Sequence, residues 1–365
     1  MLSIGKVKSS AEAAHYFTKK DNYYTQAEGV EKSQWHGKGA QALGLDTSKQ
    51  VDPSEFKELL DGRHEGKKLR TIFKGENKKP TLALDLTLSA PKSVSLAGLV
   101  NGDKEVLRCH DLAVKETADY FEKNHAATRI QVDNHAMQRQ TGNMVAAIFQ
   151  HDTSRELDPN LHSHVVVVNM THTKDGWKSL DGKELYRKDT PVLLDQVYKS
   201  ALARNLMERG YALKFDHEKG SFEIEGYTQD QLDTFSKRAQ QITETGAVSP
   251  KQRQVAALET RKAKDHEQNR ETMQQRWQNE AQRVGIQHPE SKPSKTNEPS
   301  QEISVENAVR YSIEHNTERS VSVTREGLTA PVSCICLALF ENVSSWSWVY
   351  PSISKLPFSW SNFNA

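Results

Sequence analysis

His151, His162 and His164 lie close together in the chain, and imidazole is the commonest metal-binding side chain. His162 and His164 belong to the run Leu161-His162-Ser163-His164-Val165-Val166-Val167-Val168-Asn169. Its four valines favour a strand. Side chains alternate faces along a strand, so the two histidines project to the same side. A second strand-like run, from Asn143 to Ile148, Phe149 and Gln150, ends at His151. The polar segment Asp152 to Asn160 between them ends in turn residues. A hairpin of this kind brings His151 back beside the other two. A single strand histidine is ordinarily packed or solvated; the third one across a hairpin is what favours a metal. Three neutral imidazoles suit Zn, Mn, Ni, Co or Fe and leave coordination positions open to a substrate.

Two further groups bear on the chemistry. Tyr16, Tyr23 and Tyr24 lie near the N-terminus, interleaved with Lys19 and Lys20. A phenol ionises near pH ~10, so a tyrosine nucleophile at neutral pH needs a metal-polarised target, a base or cationic neighbours. Aromatic packing at a helix end is the competing reading. Asp85 interrupts the apolar run Thr81 to Leu88. A carboxylate in a buried strand is costly unless paired. It is suited either to orienting a ligand histidine or to accepting the tyrosine proton.

The elements that must hold these groups follow from the pattern. Residues 2–8 read as a first strand, and Ser9-Ser10-Ala11-Glu12 as a helix start. Trp35 to Ala40 is a glycine-containing turn, and no phosphate-loop spacing occurs anywhere in the chain. Asp52-Pro53 opens a helix through Leu60. Arg63, Lys67, Lys68, Arg70, Lys74, Lys78 and Lys79 form a basic stretch, either a solvated loop or a phosphate-contacting surface. Residues 104–124 and 191–208 have helical periodicity. Trp177 to Leu180 suggests a short strand, residues 211–225 a small hairpin, and Thr228 another helix start. Residues 250–285 are charged and helical in pattern, and read as a solvated face. Ser291 to Ser300 has linker composition.

The chain has 365 residues and a net charge of +1. That is long enough for two domains and excludes a globally basic nucleic-acid binder, so any such contact must be local. Cys109, Cys334 and Cys336 do not make a disulfide framework. No signal-peptide pattern opens the chain, and no apolar run approaches the ~20 residues of a membrane helix. The expectation is a soluble, cytoplasmic protein without membrane insertion.

Taken together, Tyr16 with Tyr23-Tyr24, the segment Asp85-Leu86-Thr87-Leu88-Ser89-Ala90-Pro91-Lys92-Ser93, and His151-Asp152-Thr153-Ser154-Arg155 leading to Leu161-His162-Ser163-His164 resemble the relaxase domain of MobF-class conjugative relaxases of the TrwC/TraI type. Trp35 to Gly44 fits as well. The resemblance covers roughly residues 1–285. It implies an α/β (α+β) fold, with an antiparallel sheet sandwiched by helices, a palm of the HUH-endonuclease kind and a helical C-terminal part. It implies nicking and rejoining of single-stranded or cruciform plasmid DNA at the origin of transfer, through a 5′-phosphotyrosine and a free 3′-hydroxyl, without ATP. Tyr16 is then the first nucleophile, Tyr23 or Tyr24 serves a second transfer, and Asp85 assists. His151, His162 and His164 hold a divalent metal, Mg²⁺ or Mn²⁺ first and Zn²⁺ or Ni²⁺ next. Lys19, Lys20, Lys92 and Arg155 are expected at the DNA. Accessory relaxosome proteins and a type IV secretion coupling protein are the implied partners, and passage into the recipient cell with bound DNA is implied too.

The sequence departs from the family in two places. The first tyrosine pair is here Tyr16-Phe17. Members usually continue into a helicase; residues 302–326 resemble its start, after a linker at 286–301, and the likeness then stops. Residues 327–365 carry only two charged residues, Glu341 and Lys355, yet three of the six tryptophans. They are expected to be a disrupted, disordered end, and the chain to nick DNA without unwinding it. A rolling-circle replication initiator uses similar chemistry, and an idle origin-binding protein is the reading from another class. The family segments outside the site argue against the first, and the intact nucleophile and histidines against the second.

Overall fold

The computed structural model describes residues 2–18, 33–72, 79–182, 189–216, 220–247, 250–260 and 270–291. A five-stranded sheet lies at its centre. Its strands are β1 (Leu2–Val7), β2 (Ser33–His36), β3 (Ala83–Ser89), β4 (Ala146–Thr153) and β5 (Pro159–Val168). They run in the order β1-β3-β5-β4-β2 with every neighbouring pair antiparallel. The hairpin expected of the two histidine segments is β4–β5.

Alternation along the strands divides the interior into two cores. Leu84, Leu86 and Leu88 join Ala146, Ile148, Val165 and Val167 in the first. Ala83, Ala147, Phe149, Val166 and Val168 face the second. Because both faces are covered, β5 reads as a continuous apolar run after its histidines. The first core is roofed by α1 (Lys104–His125) and α2 (Asp189–Met207). In the longer helix Val106, Cys109, Ala113, Val114, Ala118 and Phe121 are buried at helical spacing, and Asp103 caps it by accepting from the amides of Glu105 and Val106 (3.0 and 3.2 Å). The second core is covered by the helices Ser10–Thr18 and Pro53–Leu60. The architecture is the expected antiparallel sheet between helices.

Trp35 to Ala40 is more ordered than a turn. It is edge strand β2 followed by a short helix, Lys38–Ala42. Gly37 takes φ +100°, and a Cβ there would lie 2.5 Å from the Met144 carbonyl oxygen; one on Gly39 would lie 2.6 Å from it. Glu122, buried, accepts from the amides of Lys38 (2.7 Å) and Met144 (2.9 Å). The two glycines and this carboxylate fasten the edge strand to β4.

Two of the elements absent from the sequence reading stand out. One is an exposed ribbon, Ala127–Val132 paired with His135–Gln140, whose turn residues Asp133 and Asn134 have positive φ. The other is a π-helical turn at Leu96–Val100. The charged C-terminal stretch also differs from the solvated face expected of it. It forms helices Pro250–Glu259 and Arg270–Arg283, and the latter buries Met273, Trp277 and Ala281. These three lie at i, i+4 and i+8, a narrow stripe that the flanking charges conceal. The Trp277 indole N–H donates to the Leu157 carbonyl at 2.8 Å, and the Lys237 amide donates to Asp158 at 2.9 Å. The C-terminal helices thus hold the turn between β4 and β5. Trp277→Ala is expected to cost about 3–5 kcal/mol, read as a lowered midpoint in chemical denaturation; an unchanged midpoint would mean that this anchor is dispensable.

Among the described residues no helix is long and apolar enough to cross a membrane. Residues 302–326 and 327–365, and most of the linker, lie outside the described residues.

Candidate active site

The sheet register assembles the histidines. His151 pairs with His162 across β4–β5, while His162 faces Ser89 and His164 faces Thr87 on β3. All three histidines have the parity of the second core. One ligand nitrogen from each lies within 4.8 Å of the others. Their ring centroids are 4.9 to 5.4 Å apart.

The outer nitrogens are already assigned by hydrogen bonds. His164 Nδ1 lies 2.8 and 3.0 Å from the two oxygens of Asp85 and 3.2 Å from Thr87 Oγ1. As a neutral imidazole it donates Nδ1–H to the carboxylate, which leaves Nε2 as a lone-pair donor. That Nε2 is buried and has no hydrogen-bond partner. His162 Nδ1 donates to the Asn160 carbonyl at 2.8 Å, which puts the ring's lone pair on Nε2. An orphaned buried imidazole nitrogen beside two others, with the tautomers of His162 and His164 fixed from behind, fits a divalent metal. Of the two roles open to Asp85, the geometry engages it with His164. Thr87 and Asn160 were not singled out from the sequence. Their signal was spacing: Thr87 follows Asp85 by two residues, and Asn160 precedes His162 by two.

The helix Ser10–Thr18 lies over this cluster. Phe17 is its buried keel, stacked on Phe149 (5.5 Å between centroids) and edge-on to His164 (5.1 Å). Tyr16, one position earlier, turns about 100° around the helix and is 47% exposed. Its ring centroid lies 6.1 Å from that of His151 and 6.0 Å from that of His164. Phe17 thus belongs to the apolar second core, while Tyr16 does not.

Of the residues expected at DNA, Arg155 sits in the turn joining β4 to β5, at the same end of the hairpin as His151 and His162. Lys19, Lys20, Tyr23 and Tyr24 lie outside the described residues. Lys92 donates its ammonium to the Pro159 carbonyl at 2.8 Å and so braces the strand that carries His162. Burial pushes it down to about 8, opposed by Asp158 and Glu223. The unfolded chain therefore holds this proton over a range in which the folded chain has released it. Stability from this group rises with pH from about 8 to the ordinary lysine value of 10.5. Lys92→Met is expected to flatten that slope in urea midpoints taken at several pH values; an unaltered slope would assign it to other groups.

Behind β5, Ser163 projects to the opposite face from its histidine neighbours. Its hydroxyl meets His110 Nε2 at 2.9 Å, and His110 Nδ1 meets the Tyr198 hydroxyl at 2.7 Å. Complete burial raises the Tyr198 phenol well above its usual value. This buried chain of polar groups ties the histidine strand to α1 and α2.

The TrwC relaxase family model matches residues 10–284. The multifunctional conjugation protein TraI of Escherichia coli is 39% identical over 276 residues, 73% of this chain and 15% of that protein. TraI of Escherichia coli strain K12 is 37% identical over the same length, with the same coverage. Among solved structures, the conjugative relaxase TrwC in complex with oriT DNA, metal-bound, superposes with a TM-score of 0.71 at 37% identity. A copper-bound TrwC–oriT complex gives 0.72 at 36%. Each covers 79% of this chain and 100% of the other. The chain spans about 15% of the length of the curated relatives it matches.

Proposed function

The chain belongs to the TrwC relaxase family, and from that premise we propose that it nicks and rejoins one DNA strand at a plasmid origin of transfer, with Tyr16 as nucleophile. The observation that carries this reading is the half-exposed Tyr16 ring set over the three-histidine cluster. In the proposed reaction the Tyr16 oxygen attacks the scissile phosphorus. A tyrosine–phosphate bond forms, the bond to the 3′-oxygen breaks, and the phenolic proton is matched by the one gained at the 3′-hydroxyl. One ester replaces another, so the bond energy is kept and the reverse reaction reseals the strand. No nucleotide is consumed.

This chain's residues have separate tasks. Helix Ser10–Thr18, keyed by Phe17, holds the phenol over the site. His151, His162 and His164 place three nitrogens within 4.8 Å of one another, and Asp85 and the Asn160 carbonyl fix the tautomers of His164 and His162. These three histidines would hold a divalent cation, which would supply Lewis-acid charge at the scissile phosphate. An all-nitrogen donor set favours Mn²⁺, Ni²⁺ or Zn²⁺ over Mg²⁺, which prefers oxygen ligands and dehydrates reluctantly. Arg155, and Lys19 and Lys20 beyond Thr18, are proposed phosphate contacts. Tyr23 or Tyr24 is proposed for the second transfer. Residues 1–285 form the nicking unit in this reading. Its setting is the bacterial cytoplasm, with relaxosome proteins and a secretion coupling protein as partners.

The test is a covalent-adduct assay: labelled single-stranded DNA spanning the transfer origin of the encoding plasmid, with Mn²⁺ or Mg²⁺, denatured and resolved on a gel. A metal-dependent band that survives denaturation supports the proposal. Tight binding to the same DNA with no adduct under any metal would favour an idle origin-binding protein.

A further inference from the structure

Among the described residues Arg70 is a buried cation without a counter-ion. It is 9% exposed and follows the small ribbon of Arg63–His64 and Lys67–Lys68. The amides of Leu69 and Arg70 both donate to the Gly62 carbonyl (2.9 and 3.2 Å). Gly62, at φ +73°, makes room for this bracket, since a Cβ there would lie 3.0 Å from the Arg70 carbonyl oxygen and 3.3 Å from its Cγ. The guanidinium commits Nη1 to Ser179 Oγ at 3.3 Å. Nε and Nη2, both buried, have no hydrogen-bond partner. Those two N–H groups point the same way and form the side-on fork that grips an oxyanion through two parallel bonds. No acid answers them. Asp181, two residues beyond Ser179, is held by Arg129 at 2.9 Å. Burial lowers the Arg70 pKa, and no carboxylate opposes it.

An unpaired charge of this kind is strongly destabilising. It is tolerated where a ligand brings the missing charge. We infer that the side-on fork of Arg70, with the Ser179 hydroxyl beside it, is a recessed binding site for one phosphate group. Arg63, Lys67 and Lys68 precede Arg70 in the chain and Lys178 precedes Ser179, so the neighbouring sequence is basic. The Ser179 carbonyl accepts from Thr128 Oγ1 at 2.8 Å, which places the site at the foot of the exposed ribbon. It lies past the end of β5 away from His162, since the Leu180 amide next to Ser179 donates to Asn169 Oδ1 at 3.0 Å. The phosphate is either a backbone phosphodiester of bound DNA, which rests on the reading proposed above, or free phosphate, which does not.

Thermal melting of the full chain in phosphate-free buffer, with sodium phosphate then added, tests the site without DNA. Phosphate is expected to raise the Tm of the wild type and leave that of Arg70→Met unmoved. Arg70→Met itself should melt at or above wild type before phosphate is added, because the uncompensated charge is gone. Arg70→Lys keeps the charge without the fork and should lose most of the shift. Binding of a labelled mixed-sequence single-stranded oligonucleotide over a salt series separates the two sources. A log–log salt slope shallower by about 0.7 in Arg70→Met assigns the site to a strand phosphate. An unchanged slope with the phosphate shift intact assigns it to free phosphate. No phosphate shift in the wild type, together with an unchanged slope, overturns the inference. None of these readouts uses cleavage, so a chain that shows them and forms no adduct faults the proposed reaction and not this site.

Discussion

Tyr16→Phe is expected to abolish the covalent protein–DNA adduct, a loss of at least about a thousandfold, or roughly 4 kcal/mol of barrier. The substitution removes one oxygen and nothing else. Because Tyr16 is 47% exposed, its hydroxyl adds little to stability, and the melting temperature should stay within the small range typical of surface changes. The ring remains, edge-on to Phe17 and His164 and tilted against His151, so metal affinity should be retained. Loss of adduct with fold and metal intact is a result that a purely structural role cannot produce. An adduct that survives in Tyr16→Phe at wild-type yield would move the nucleophile to Tyr23 or Tyr24.

Asp85→Asn is expected to weaken metal binding by about 10- to 100-fold. The carboxylate accepts the Nδ1 proton of His164 at 2.8 Å. An asparagine at this position can turn its amide N–H toward Nδ1 instead, which favours the tautomer carrying the proton on Nε2. That proton occupies the lone pair a metal requires. Titration calorimetry of the metal-free chain with Mn²⁺ or Zn²⁺ reads the effect directly, and excess metal should restore much of the adduct. Equal affinity in Asp85→Asn and wild type would remove Asp85 from the metal's support and return it to the role of proton acceptor. The metal should also stabilise the wild type more than the variant at equal concentration, since a ligand L that binds the folded state alone raises its stability by RT ln(1 + [L]/Kd).

Much of the site was legible before any coordinates because it rests on local rules. The two-residue period of a strand places His162 and His164 on one face whatever the rest of the chain does. An acid within an apolar strand requires a partner, and Asp85 has His164. Polar turn residues between two apolar runs make a hairpin, and the hairpin returns His151. The caps at Asp52, Asp103 and Thr228 accept hydrogen bonds from their own helix starts, an interaction complete within four residues.

What the chain order leaves open are contacts between segments distant in sequence. Lys92 carries the same charge in a loop or in a crevice; only packing against Pro159, Asp158 and Glu223 decides that it braces a turn. Trp277 lies among charged residues, and its burial depends on Leu157, 120 positions away. The basic stretch at Arg63 to Lys79 gave no reason to separate Arg70 from its neighbours. Its distinction is a missing counter-ion, a property of the folded surroundings alone. The sequence by itself determined which side chains share a face of each strand, because strand alternation is short-range and steric. The tertiary structure alone decided which charges are compensated, because desolvation depends on everything that closes around a group.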